Sequence, residues 1–189
     1  RFGKRPTSYR AGRYGVGPNT VRVLRSLGYR IDSSVAPEFS FRREGGPVFL
    51  GIPSSPYWLD DDRTLLELPL TSSCIGQLSA RSPFGRSLAD KLYIDDNENK
   101  FARALFSRCR LMERIRLTPE GSSVSDCKRL VRTLLEQGTR VFVVSYHSPS
   151  LIAGNTPYVR TQDDRERFLR WFDEFYEFFL GEIGGSPAA

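Results

Sequence analysis

His147 is the only histidine of this 189-residue chain, and it follows shortly after a run of four β-forming residues, Val141–Val144. The run comes after a helical pattern and Gly138, so it predicts a strand buried on both faces, as parallel sheets contain. Side chains at the carboxyl ends of such strands do the chemistry of α/β folds and barrels. An imidazole there could act as an acid, a base or a metal ligand. A histidine that only hydrogen-bonds a neighbouring carbonyl group would show the same spacing.

Two more polar clusters could converge with His147 on one face. The first is the loop that follows Tyr9, which contains Arg10 and Tyr14. The second is Asp32, at the end of a short predicted strand over residues 29–32. The alternatives are a surface role for Arg10, a turn cap made by Asp32 and a loop-shaping role for Tyr14.

The proline- and glycine-containing stretch 36–63 predicts a long irregular excursion rather than a core element. We expect its aromatic residues Tyr57 and Trp58 to be exposed, where they could stack on a sugar ring. A loop tip that binds no ligand fits them equally well. The acidic runs lie in polar loops or at a helix start, so we interpret them as solvated rather than as the carboxylate pair of a glycosidase; they are residues 60–62, 95–96 and 163–164.

Composition excludes several classes of protein. The net charge is +6, but the basic residues are mostly arginines scattered among acids, so we expect no nucleic acid as a partner. No run of about 18 apolar residues occurs, so we expect no membrane partner. Three cysteines without a close pair argue against a disulfide framework and a thiolate metal site, and they favour a reducing, cytoplasmic compartment. The absence of an initiator methionine suggests a cut inside a longer protein.

Strands and helices alternate along the chain, which is typical of a parallel sheet or a βα barrel. About four strands are evident, too few for a closed barrel, so we expect an open sheet or missing upstream strands. Helices are predicted from Pro18 or Asn19 to Gly28, around 101–111, over 125–137 and after the Thr161 cap, and further strands over 65–70 and 114–117. The aromatic stripe of the last helix, which includes Phe168, Trp171 and Phe175, predicts core packing.

Three stretches of the sequence resemble the polysaccharide deacetylase family (NodB homology, carbohydrate esterase family 4), in particular its WalW-type members. They are Tyr9–Gly15, Leu27–Ser34 and Ser145–Arg160. The resemblance implies a deformed, TIM-barrel-related (β/α) barrel that hydrolyses N-acetyl groups on sugars with a divalent metal such as zinc. The two early family motifs that supply the base and the metal ligands do not occur, so the chain resembles the later two-thirds of the domain. We expect this domain over residues 1–182 and a disordered tail over 183–189.

The resemblance also implies roles for individual residues. Arg10 would orient the catalytic base through a charge-assisted hydrogen bond, with Arg13 as an alternative. The backbone N–H of Tyr14 would stabilise the oxyanion, and Asp32 would brace the arginine or the histidine. His147 would be the general acid that protonates the leaving amine.

The sequence therefore predicts an incomplete α/β barrel that belongs to a metal-dependent deacetylase, with an N-acetylated saccharide as its partner. We expect the 189 residues alone to bind no metal and to be inactive, and the oligomeric state is not indicated. A carbohydrate-binding or cell-wall-assembly relative that kept the fold without catalysis is the alternative.

Overall fold

The computed structural model describes residues 3–78, 82–94 and 99–188. The chain forms two compact units. The first contains residues 1–114 and 139–143, and the second contains residues 115–138 and 144–189.

A four-stranded sheet organises the first unit. Its strands are β1 (Ser8–Tyr9), β2 (Ile31–Asp32), β3 (Tyr57–Trp58) and β4 (Leu66–Glu67), in the order β1-β2-β4-β3. β1, β2 and β4 are parallel, as the alternation of strands and helices predicts, and β3 runs antiparallel beside β4. Helix α1 (Thr20–Ser26) connects β1 to β2 and buries Leu24. Gly28, at a φ of +77°, takes the left-handed conformation that ends this helix.

The excursion over residues 36–63 contributes to the core, contrary to the sequence-based expectation. Ala36 and Phe49 are buried in a cluster with Val35 and Leu70. The backbone also turns back on itself, because Phe49 N–H donates to Phe39 O at 2.8 Å. A local hairpin-like fold therefore buries apolar side chains that no periodic pattern would reveal.

The rest of the first unit contains two helices and part of a second sheet. Strand β5 (Ser72–Ile75) pairs with β6 (Glu113–Arg116), whose first two residues belong to this unit. Helix α2 (Pro83–Tyr93) was not predicted, although Ser82 caps it by accepting the Gly85 N–H at 3.0 Å and a proline fills its first position. Helix α3 (Lys100–Arg108) confirms the prediction around 101–111.

Two amphipathic helices dominate the second unit, and the sequence predicted both. In α4 (Val124–Glu136) the buried side chains follow helical spacing: Cys127, Leu130, Val131 and Leu134. Helix α5 (Gln162–Tyr176) starts with a capping box between Thr161 and Asp164. The aromatic stripe is buried as core, with Phe168, Trp171 and Phe175 at most 5% exposed. The chain continues as a π-helical turn over Glu177–Glu182.

The predicted strand before His147 is wrong. Residues 141–147 have no regular secondary structure, and Val141 is 41% exposed rather than buried. Val143 exchanges hydrogen bonds with Thr71, but its N–H donates to the Thr71 hydroxyl (2.8 Å) and not to a backbone carbonyl. A side-chain acceptor at this position interrupts the strand ladder.

The described residues are thus mixed α/β with two small sheets, and the deformed barrel stays a prediction. All three cysteines are free thiols in the structure. Across the described ranges, no helix is both long and apolar enough to cross a membrane.

Candidate functional site

The three parallel strands of the first unit end at the same level. Tyr9, Asp32 and Glu67 are the last residues of β1, β2 and β4, and they are paired in register. The segments that follow them therefore leave the sheet at one edge, where α/β folds place their sites.

Arg10 extends from β1 onto the segment that follows Asp32. Its Nε donates to Ser33 O at 3.0 Å, and its Nη2 donates to Ser33 Oγ at 2.9 Å. The backbone N–H of Ala11 donates to Ser34 Oγ at 2.8 Å, and the Ser34 hydroxyl donates to the Asp32 carboxylate. The structure thus brings Arg10 to the Asp32 segment, with the two serines between them.

Asp32 and Glu67 are both buried, at 2% and 1% exposure. Burial raises the pKa of Asp32 above its ordinary value, while hydrogen bonds from Ser33 and Ser34 oppose the rise. Burial raises the pKa of Glu67 to about 8; hydrogen bonds from the backbone of Val35 and Ser34 oppose the rise, and the negative charge of Asp32 adds to it. The edge of the sheet therefore holds two carboxyl groups that are not both charged at neutral pH.

Tyr57 belongs to this cluster, whereas Trp58 does not. Tyr57 lies opposite Glu67 across the β3–β4 pair, and burial together with the charges of Glu67 and Asp32 raises its pKa to about 12. Successive side chains of a strand point to opposite faces, so Trp58 faces away from the carboxyl groups. The two aromatic residues therefore cannot stack on one sugar ring as a pair.

Trp58 borders a separate concavity of about 380 Å³ in the first unit, together with Leu59, Asp60, Asp61 and Arg63. Its side chain is 47% exposed, as predicted, whereas Tyr57, which was expected to be exposed as well, is partly buried. The Asp60 side chain is only 5% exposed, contrary to the expectation of a solvated run, and it accepts the Thr64 N–H at 2.8 Å and pairs with Arg25 at 3.0 Å. The predicted acidic run at 95–96 lies outside the described residues.

Tyr14 occupies a 3₁₀ turn (Gly12–Tyr14) with a φ of +57°. Its ring stacks on Phe41 at a centroid distance of 5.0 Å, and its N–H donates to Ala11 O at 3.3 Å. The Tyr14 N–H could donate to an oxyanion only if its hydrogen bond to Ala11 O were broken. Arg13, the alternative to Arg10, is 85% exposed and pairs with Glu44.

His147 lies in the second unit, on the residue before a 3₁₀ turn, Ser148–Leu151. It is not at a buried strand end, since its side chain is 63% exposed. Its ring lies parallel to that of Tyr158, with centroids 6.3 Å apart. The predicted meeting of His147 with Arg10, Tyr14 and Asp32 stays a prediction.

Glu120 holds His147 with both carboxylate oxygens. Oε2 lies 2.7 Å from His147 Nδ1, and Oε1 accepts the His147 backbone N–H at 3.0 Å and the Ser150 hydroxyl at 2.5 Å. The Glu120 side chain is only 5% exposed, so its position is fixed. This arrangement favours the tautomer with the proton on Nδ1. Within the part of the chain that the structure describes, Nε2 has no hydrogen-bond partner.

Sequence reasoning missed Glu67 and Glu120. Glu67 stands between two leucines in a strand pattern, and Glu120 follows a threonine and a proline in a turn. The only available signal was that each glutamate lies within or just after a predicted strand.

The chain matches no family model, no curated protein and no solved structure. The resemblance to the deacetylase family therefore rests on the three sequence stretches alone. Among the described residues, no group of three or more His, Cys, Asp or Glu side chains could hold a metal ion. The described residues do not fit the metal that the resemblance implies, and no chemical step is assigned to it.

Proposed function

We propose that the protein hydrolyses N-acetyl groups on a sugar polymer or oligosaccharide, and that His147 donates the proton that the departing amine requires. The observation that carries this proposal is the 2.7 Å contact between His147 Nδ1 and Glu120 Oε2, in which a buried carboxylate orients an exposed ring. The resemblance of Ser145–Arg160 to the deacetylase family supports the same role.

Hydrolysis adds a water oxygen to the carbonyl carbon, breaks the C–N bond and yields acetate and an amine. The nitrogen leaves readily only if it receives a proton as the bond breaks. With Nδ1–H held by Glu120, protonated His147 presents its Nε2–H to that nitrogen. Glu120 acts as a positioning residue, because it fixes the ring without touching the substrate.

The test measures acetate release from chitooligosaccharides by the protein as its gene encodes it. We expect His147→Ala to lower kcat by about 10²–10⁴-fold with KM and Tm nearly unchanged, because the lost interaction belongs to the transition state. Glu120→Gln should lower kcat less, and Glu136→Gln, at an exposed position of α4, should have no effect. Normal turnover by His147→Ala, or no acetate release from any N-acetylated saccharide by the wild-type protein, would contradict the proposal.

The second candidate function is carbohydrate binding without catalysis, and the Trp58 concavity favours it. An exposed indole beside Asp61 and Arg63 combines a flat apolar face with polar groups, which suits a sugar ring.

Titration with a chitooligosaccharide, followed by calorimetry, tests this candidate. Trp58→Ala should abolish the binding heat, whereas Phe84→Ala, which removes another exposed aromatic side chain, should leave it unchanged. Binding without acetate release would favour this function over the first, and equal binding by wild type and Trp58→Ala would exclude the concavity as the binding site.

A further inference from the structure

Glu67 is a buried acid whose contacts lie in another part of the sequence. It is 1% exposed at the end of β4, and its Oε1 accepts the Val35 N–H at 3.0 Å. A carboxyl group is expensive to bury, so it must have compensating contacts. The Val35 N–H is one of them.

Glu67 holds the segment Ser33–Val35, which also accepts the hydrogen bonds of Arg10. Ser33 accepts two hydrogen bonds from the Arg10 guanidinium, and Ser34 accepts the Ala11 N–H. Val35 follows these two serines directly. Glu67 therefore anchors the far end of a three-residue segment whose first two residues position Arg10 and Ala11.

The charged and titratable groups around Glu67 come from three neighbouring parts of the sheet. Asp32 faces it from β2, Tyr57 from β3, and Arg10 follows β1. Tyr57 is neutral at ordinary pH, which leaves two carboxyl groups and one guanidinium. Burial raises the pKa of both carboxyl groups, so a second negative charge would be poorly compensated.

The hydrogen bond from Val35 by itself lowers the pKa of Glu67, but a neutral carboxyl group can accept it as well. One of its oxygens accepts the backbone N–H, and the proton is carried on the other. We propose that Glu67 is a positioning residue whose carboxyl group, buried in register beside Asp32, stays neutral and holds Ser33–Val35 against Arg10 and Ala11. Asp32, which accepts the Ser34 hydroxyl, carries the single negative charge of the buried pair. The consequence of this arrangement for catalysis rests on the proposed function, but the charge state itself does not.

Carboxyl ¹³C NMR of the full chain tests the charge state directly. We expect one glutamate signal to titrate with a midpoint of about 8, and Glu67→Gln should remove that signal. Glu44→Gln, which changes an exposed glutamate of the same unit, should leave it in place. In Asp32→Asn the midpoint should fall but stay above the ordinary value of 4.5, because burial is the larger cause.

The positioning role has its own readout. The Val35 amide signal should shift with the Glu67 midpoint in the wild-type chain. In Glu67→Ala, which cannot accept the Val35 N–H, the Arg10 Nε–H should exchange faster with solvent, because the Ser33–Val35 segment is no longer held. In Glu67→Gln, which keeps an acceptor for that N–H, it should exchange at the wild-type rate. The proposal is overturned if Glu67 titrates in the ordinary glutamate range, or if the Arg10 Nε–H exchanges equally fast in wild type and in Glu67→Ala. If Glu67→Gln does not fold, the titrations of wild type and Asp32→Asn still show whether a buried glutamate has the raised pKa. Absence of acetate release by the protein as its gene encodes it would contradict the proposed function and leave these signals unaffected.

Discussion

Replacing Glu67 by glutamine should change how the stability of the first unit depends on pH. The pKa of Glu67 is about 8 in the folded chain against an ordinary value of 4.5. Between these values the folded state holds a proton that the unfolded state has released, so the free energy of unfolding falls as pH rises. The stabilisation that the Glu67 proton gives the folded state is complete below about pH 4.5 and is lost as pH passes through about 8. Glutamine has no such proton, so this part of the slope should vanish in the variant.

One pKa unit corresponds to about 1.4 kcal/mol. As pH rises through this range, the free energy of unfolding of the wild-type chain should therefore fall by a few kcal/mol, with about 5 kcal/mol as the upper limit. Urea unfolding between about pH 5 and about pH 9 gives this slope through linear extrapolation. The chain has two tryptophans, one in each unit, and a Trp171→Phe background leaves Trp58 fluorescence to report on the first unit alone.

The decisive quantity is the stability difference between Glu67→Gln and wild type at each pH. We expect it to be small near pH 5 and to favour the variant increasingly towards pH 9, while Glu44→Gln follows the wild-type curve. Parallel curves for wild type and Glu67→Gln would refute the reasoning, because they would mean that Glu67 releases its proton equally in the folded and unfolded states.

Three further outcomes are expected. Long-range ¹H–¹⁵N spectra of the single histidine at high pH should show the Nδ1–H tautomer, and Glu120→Ala should shift it towards Nε2–H; an unchanged tautomer would deny Glu120 its orienting role. Phe175→Ala should destabilise the second unit by about 3–5 kcal/mol in urea unfolding followed by Trp171, because the ring is 1% exposed and stacks on that indole at 4.9 Å. Thr161→Ala should cost about 1 kcal/mol by the same measurement, and a loss as large as that of Phe175→Ala would contradict its role as a helix cap.

The elements that the sequence predicted best have a strong local signal. Helices α4 and α5 combine a side-chain cap with apolar residues at helical spacing, so local and long-range preferences agree. The segment 141–144 has equally strong β-formers, but a strand also needs a partner with free backbone groups. Thr71 supplies its hydroxyl to Val143 instead, which no local pattern reveals.

The candidate site was predictable only in part. Arg10 was found as part of a polar loop cluster and Asp32 as the last residue of a short predicted strand, and the register of β1 and β2 brings their segments together. Glu67 was missed because a glutamate between leucines is usually the solvent-facing residue of a half-buried strand. Its burial depends on neighbours from β2 and β3, which are distant in sequence. Glu120 was missed for the same reason, since 27 residues separate it from His147.

The interleaved order of the two units has a consequence for synthesis on the ribosome. Residues 139–143 belong to the first unit, but they follow α4, which belongs to the second. Since a nascent chain emerges from its amino terminus, the first 114 residues cannot complete their unit when they leave the exit tunnel. The hydrogen bonds between Val143 and Thr71 close that unit only after an entire helix of the other has been translated.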